Sequence, residues 1–217
     1  MSVVKPIVVG IAGGSGSGKT TLSRAVVAAL GAHNVTYICH DYYYRDLSHL
    51  PIQDRAKTNF DHPDALETSL LVEQLAQLKA GGSVEVPTYD FTVHSRAKET
   101  IRAEGKGVII VEGILIFCEP GLRDLLDVKV FVDTEPDIRF IRRMRRDMGE
   151  RNRTSEEVVA QFLATVRPMH ELFVVPSKKF SDIIVPDGLN PVVLDMMVAK
   201  LRPHAELLAD DAKRSDT

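Results

Sequence analysis

The segment Gly13-Gly14-Ser15-Gly16-Ser17-Gly18-Lys19-Thr20 follows directly on the apolar run Ile7-Val8-Val9-Gly10-Ile11, and this junction restricts the fold more than any other part of the chain. A glycine-rich turn that leaves a strand and enters a helix points successive backbone N–H groups at one spot. The small residues let the oxygens of a di- or triphosphate approach them closely. The pattern G-x-x-x-x-G-K-[ST] is met in full from Gly13 to Thr20. Lys19 adds a mobile positive charge, and the Thr20 hydroxyl suits a Mg²⁺ that bridges phosphates. Leu22, Val26, Ala29 and Leu30 follow at helical spacing, so the turn feeds a helix as the pattern requires.

Short apolar runs recur at residues 35–40, 108–112, 128–132 and 182–185, which with the first predicts five buried parallel strands. Amphipathic stretches between them carry capping patterns. Asp64-x-x-Glu67 opens a predicted helix to about residue 80, Thr134-x-x-Asp137 one to about 148, and Thr154-x-x-Glu157 another. The alternation implies a doubly wound α/β sheet of P-loop type flanked by helices, with ligands beyond the carboxyl ends of the strands. Residues 83–104 break the alternation and read as a small β-hairpin appendage over the active site. One domain is expected over residues 1–202, with an arginine-rich lid at about 137–165 and a polar tail, frayed or disordered, over 203–217.

With 217 residues and a net charge of −3, nucleic acid is not the expected main partner. The apolar start runs straight into the phosphate loop without a cleavage site, and the longest apolar run, residues 108–118, is interrupted by Glu112 and Gly113. A cytosolic protein with no membrane partner is expected. Cys39 and Cys118 lie in separate apolar segments without metal-like spacing and read as reduced core residues.

A phosphate loop alone does not separate switch GTPases, motor ATPases and small-molecule kinases, so the other polar residues must decide. Guanine-specific N-K-x-D and D-x-x-G loops are not found in the appropriate places. Glu112, at a strand end, can hold a water of the Mg²⁺ shell. Asp41, at the end of the second strand, is the expected general base, because phosphoryl transfer to an alcohol needs an acceptor for the hydroxyl proton. Of Tyr42, Tyr43 and Tyr44, the last is placed at the substrate. Arg139, Arg142, Arg143 and Arg146 share one helical face, followed by Arg151 and Arg153. So much positive charge reads as a lid that closes over a triphosphate.

Together these residues resemble the uridine kinase (uridine–cytidine kinase) family within the phosphoribulokinase and uridine kinase group, from about residue 7 to residue 190. The carriers include Asp41-Tyr42-Tyr43-Tyr44-Arg45, Asn59-Phe60-Asp61-His62-Pro63-Asp64-Ala65, Pro87-Thr88-Tyr89-Asp90-Phe91 with His94-Ser95-Arg96, and Glu112-Gly113-Ile114-Leu115. Phe131-Val132-Asp133-Thr134, Arg142-Arg143 and Arg151-Asn152-Arg153 complete them. The resemblance implies transfer of a phosphoryl group from ATP or GTP to the 5′-hydroxyl of uridine or cytidine, with Mg²⁺. It implies that Asp41 is the base and that Asp61 binds ribose hydroxyls. Tyr89, Phe91 and His94 would hold the pyrimidine, with Tyr44, Ile114, Arg143, Arg153 and Gln161 on the nucleoside side. Arg146, Arg151 and Arg153 would attend the transferring phosphates. Residues 186–190, Asn190 among them, would lie beside the donor's base, and Thr21 would join the donor set. A homo-oligomer, with a tetramer favoured, is also implied. The competing expectations are a related kinase of phosphoribulokinase-like or pantothenate kinase-like type, and a nucleotide-dependent binding switch.

Overall fold

A computed structural model describes residues 6–55 and 57–215. Its centre is a five-stranded parallel sheet in the order β2-β5-β1-β6-β7. These strands are β1 (Ile7–Gly13), β2 (Val35–Cys39), β5 (Val108–Gly113), β6 (Val128–Asp133) and β7 (Ile183–Pro186). They match the five predicted runs to within a residue or two at each end. All of β1 and β5 is buried, as a strand covered on both faces requires. Successive side chains point to opposite faces, so Val8, Ile109, Val111 and Phe131 enter one core while Val9, Ile11, Ile110, Val130 and Val132 enter the other.

The helices are α1 (Lys19–Leu30), α2 (Ile52–Arg55), α3 (Thr68–Lys79), α4 (Pro120–Leu125), α5 (Pro136–Glu150), α6 (Ser155–Gln161), α7 (Arg167–Met169), α8 (Val175–Ser177) and α9 (Pro191–Ser215). Leu71, Leu75 and Leu78 of α3 pack on the first core, and Leu22, Val26 and Leu30 of α1 with Met197, Leu201 and Ala205 of α9 pack on the second. Two antiparallel strands, β3 (Ser83–Asp90) and β4 (Ser95–Glu104), form the appended hairpin. Arg96 fastens it to the end of β2: Nε donates to the Tyr44 carbonyl at 3.1 Å, and Nη1 pairs with Glu67 at 2.7 Å.

The three capping patterns fare differently. Thr154 and Glu157 form a reciprocal capping box at the start of α6. Asp64 instead lies in a 3₁₀ turn, Pro63–Ala65, and α3 begins only at Thr68, because Leu66 is drawn into an isolated bridge with Tyr44. Thr134 does not cap α5 either. Its hydroxyl donates to the Ser17 carbonyl at 2.9 Å, tying the phosphate loop to the end of β6.

α9 runs past residue 202 into the segment expected to fray, with Ala205 buried, and residues 216–217 of that segment lie outside the described residues. The apolar run 108–118 begins as the buried strand β5. The helical run Ser155–Phe180 is long and apolar enough to cross a bilayer by length and composition, and it is mostly exposed, with Val158, Val166 and Val174 buried and Val174 packed in the first core. Two π-helical turns, Phe162–Val166 and His170–Val174, interrupt that run. Each precedes a proline, Pro168 or Pro176, whose ring would clash with the carbonyl four residues earlier in a regular α-helix.

Candidate active site

Parallel strands place their carboxyl ends on one edge of the sheet, and that edge carries the phosphate loop after β1, Asp41 after β2 and Glu112 in β5. A cavity of about 380 Å³ opens there. Ser15, Lys19, Asp41, Tyr44, Asp61, Tyr89, Phe91, His94, Ile114, Arg143, Arg146, Arg151, Arg153 and Gln161 all line it. Residues from the loop, the hairpin and the arginine-rich segment, far apart in sequence, therefore meet as expected.

The loop is held by backbone geometry. Gly16 has φ +79 and Gly18 φ +96. A Cβ on Gly16 would run into the Arg139 carbonyl oxygen, and one on Gly18 would lie 2.9 Å from Gly188 Cα. Only glycine tolerates both the conformation and the approach. Lys19 opens α1, and among the described residues its ammonium makes no ion pair.

Below the loop, Thr20 Oγ1 donates to Glu112 Oε1 at 2.9 Å, and Ser23 Oγ lies 3.1 Å from Oε2. Glu112 is buried and, among the described residues, has no Lys or Arg partner. A carboxylate so placed beside a loop hydroxyl is a hard-oxygen donor set that fits Mg²⁺. No group of three His, Cys, Asp or Glu residues suited to a metal occurs among the described residues.

The acceptor side is built from side chains. Tyr44 lies 5.2 Å, between ring centroids, from both Phe60 and Tyr89, and Phe60 stacks on His94 at 5.2 Å and 20°. Tyr89 Oη is buried without a hydrogen-bond partner among the described residues. Burial, followed by Arg153 and Arg151, lowers the His94 pKa and favours the neutral ring. Asp61 is buried, which raises its pKa, while Arg143 acts in the opposite direction. The Asp41 and Asp61 carboxylates enter no ion pair among the described residues, which leaves two acceptor-only groups facing the same cavity.

The arginine face divides rather than acting as one lid. Arg139 is buried against the loop and donates to the Thr134 carbonyl at 3.0 Å, and Arg142 reaches the Ser17 carbonyl at 3.5 Å. Arg143 donates to Ser15 Oγ at 2.9 Å and to Gln161 Oε1 at 3.0 Å, and Arg153 donates to the same Gln161 oxygen. Two residues expected on the donor side lie outside this cavity. Asn190 caps α9, its Oδ1 accepting from the amides of Val192 and Val193 at 3.0 and 3.2 Å, and Thr21 is exposed outside the cavity. Sequence reasoning missed Phe60, Thr92, Glu150 and Asn152 on the cavity wall, and the buried Asp147 behind the arginines. Phe60 was within reach, since it precedes Asp61 in the same motif.

A family model described as phosphoribulokinase / uridine kinase matches residues 8–193. The chain is 55% identical over 197 residues to a uridine kinase of Chloroflexus aurantiacus, covering 90% of this chain and 94% of that one. It is 52% identical over 205 residues to a uridine kinase of Chloroflexus aggregans, covering 94% and 98%. A solved structure from Silicibacter sp. TM1040, described as a candidate fructose transport system kinase, superposes with a TM-score of 0.66 at 23% identity. That match covers 85% of this chain and 92% of that one, and it bears on the fold alone. Fold, cavity and sequence matches together place the chain in the phosphoribulokinase/uridine kinase family.

Proposed function

We propose that the protein is a nucleoside kinase that transfers the γ-phosphoryl group of ATP or GTP to the 5′-hydroxyl of uridine and cytidine, giving UMP and CMP. The observation that carries this reading is the composition of one cavity. Two carboxylates with no ion pair among the described residues, Asp41 and Asp61, share its lining with aromatic rings and with cations that include Lys19. A neutral polyol with an aromatic base suits the carboxylates and rings, and migrating phosphate charge suits the cations.

Lys19 and the loop amides hold the donor. Asp41 accepts the proton of the attacking hydroxyl, and Asp61 accepts hydrogen bonds from the ribose. Tyr44, Phe60, Tyr89, Phe91 and His94 enclose a single ring, and Arg146, Arg151 and Arg153 offset charge on the transferring group. Thr20 and Glu112 would hold Mg²⁺, which supplies charge neutralisation on the donor phosphates. The reading extends to a role in pyrimidine salvage and a cytoplasmic homo-oligomer, tetrameric by the family resemblance, with neither nucleic acid nor membrane as partner.

The test is Mg²⁺-dependent ADP release from ATP with uridine, cytidine, adenosine, guanosine, ribulose 5-phosphate and pantothenate, against a control without acceptor. Stimulation by uridine and cytidine alone is expected. Stimulation by another acceptor overturns the pocket assignment, and slow turnover indifferent to every acceptor overturns the kinase reading in favour of a switch.

A further inference from the structure

The four cavity-lining arginines all refer to one residue that does not itself line the cavity. Asp147 is 0% exposed on the inner face of α5. Arg146 places Nε 2.9 Å and Nη2 2.8 Å from its Oδ1, and Arg151 Nη1 lies 3.5 Å from the same oxygen. Arg143, one turn earlier, has Nε 3.4 Å from Oδ2, and the main-chain carbonyl of Asp147 accepts the N–H of Arg153 at 3.2 Å. Three guanidiniums around one carboxylate leave a surplus of two positive charges. The carboxylate can therefore gather the cluster without cancelling its pull on a phosphate.

We propose that Asp147 is a positioning residue for phosphoryl transfer, holding Arg146 and Arg151 converged on the cavity before the substrates arrive. Burial disfavours the charged forms of Arg143 and Arg151, and the Asp147 carboxylate opposes that tendency in both. Its hold is unequal. Among the described residues neither Arg143 Nε nor Asp147 Oδ2 makes a hydrogen bond, so that contact is Coulombic, whereas Arg146 is engaged through two nitrogens. Arg151 is steadied from the other side by the Phe91 ring, 5.0 Å from its guanidinium carbon, and so bridges Asp147 and the hairpin. Preorganised charge of this kind acts when charge shifts in the transition state and contributes less to ground-state binding.

This inference rests on the kinase reading above, and the experiment separates their failures. Asp147→Asn keeps the size of the side chain and removes its charge. With the acceptor that gives turnover in the wild type, kcat is expected to fall by about 30- to 300-fold while KM for nucleoside and for ATP stays within about threefold. Asp147→Glu restores the charge and should recover about tenfold of that loss. Arg146→Lys should cost about tenfold in the wild-type background but under about threefold alongside Asp147→Asn, because the arginine's position is already lost. A purely structural ion pair predicts a lower melting temperature with kcat within twofold of wild type below it, and additive effects of the two substitutions; either result overturns the proposal. If Asp147→Asn fails to fold, the same cycle is read with Asp147→Glu, where additivity again overturns it. A wild type inactive with every acceptor overturns the kinase reading itself, whereas an active wild type with an unimpaired Asn variant overturns only the role of Asp147.

Discussion

The phosphate-loop side of the cavity and the hairpin side solve different problems with different materials. The loop side is made of main chain: glycines at positive φ, amides at a helix start, and neighbouring carbonyls that admit no Cβ. The hairpin side is made of side chains from several separate segments, Tyr44, Phe60, Tyr89 and His94, packed ring against ring. Backbone recognises what every nucleoside triphosphate shares, and side chains recognise what distinguishes one acceptor from another. Change on the hairpin side should therefore retune the substrate, while change on the loop side should damage the protein.

The comparison can be broken most directly where the halves meet. Asp41→Asn is expected to lower kcat by about 10² to 10⁴ with a smaller effect on nucleoside KM, as steady-state kinetics will report. Near-wild-type turnover would remove Asp41 from the chemistry. On the loop side, Gly16→Ala drives a Cβ against the Arg139 carbonyl at φ +79. Unfolding free energy measured in urea should drop by about 2–4 kcal/mol. A stable variant with only an altered ATP KM would show that the loop is softer than its contacts imply.

His40 lies at the seam, with its side chain against Gly113, and burial pushes its pKa down to about 4. The unfolded chain takes up this proton first, at about pH 6.5, so the contribution is complete above that value and drains away as pH falls toward about 4. From pH 7.5 to pH 5 the loss should be about 2 kcal/mol, and His40→Gln should flatten the slope. His170, also lowered to about 4 chiefly by burial, contributes with the same sign. An unchanged slope in His40→Gln would assign the effect elsewhere. The mildest change is on the acceptor wall, where Phe60→Ala should raise nucleoside KM about tenfold and leave ATP KM within twofold. Equal rises in both would erase the distinction between the halves.

The same division explains how far the sequence could be read. The five strands and the loop were legible because buried parallel strands are continuous apolar runs and the loop's geometry demands particular residues at fixed spacing. Asp61, Tyr89, Phe91 and His94 were legible only through motif resemblance, since nothing local to an aromatic residue says which cavity it faces. Asp147 escaped notice because a carboxylate among arginines on a helix resembles an ordinary solvated i,i+4 pair, and only burial distinguishes it. The true start of α3 was hidden for a related reason. Asp64 lost its capping role to a long-range pairing, Tyr44 with Leu66, that no window around residue 64 contains.

The prolines of the run from Ser155 to Phe180 set its rotational phase. Val158, Val166 and Val174 are eight residues apart and all buried. In an unbroken α-helix, eight residues advance the direction by about 80° beyond two full turns, so three such valines would fan over roughly 160°. Each π turn absorbs about one residue without its usual rotation, which brings the advance back to within about 20° of a whole number of turns. The bulges thus act as phase correctors that let an eight-residue spacing stay aimed at the core. Straightening Phe162–Val166 into regular α-helix with all its residues kept would swing everything beyond it, including the second bulge and its valine, by about a quarter-turn, whereas deleting one residue there would leave the phase nearly unchanged.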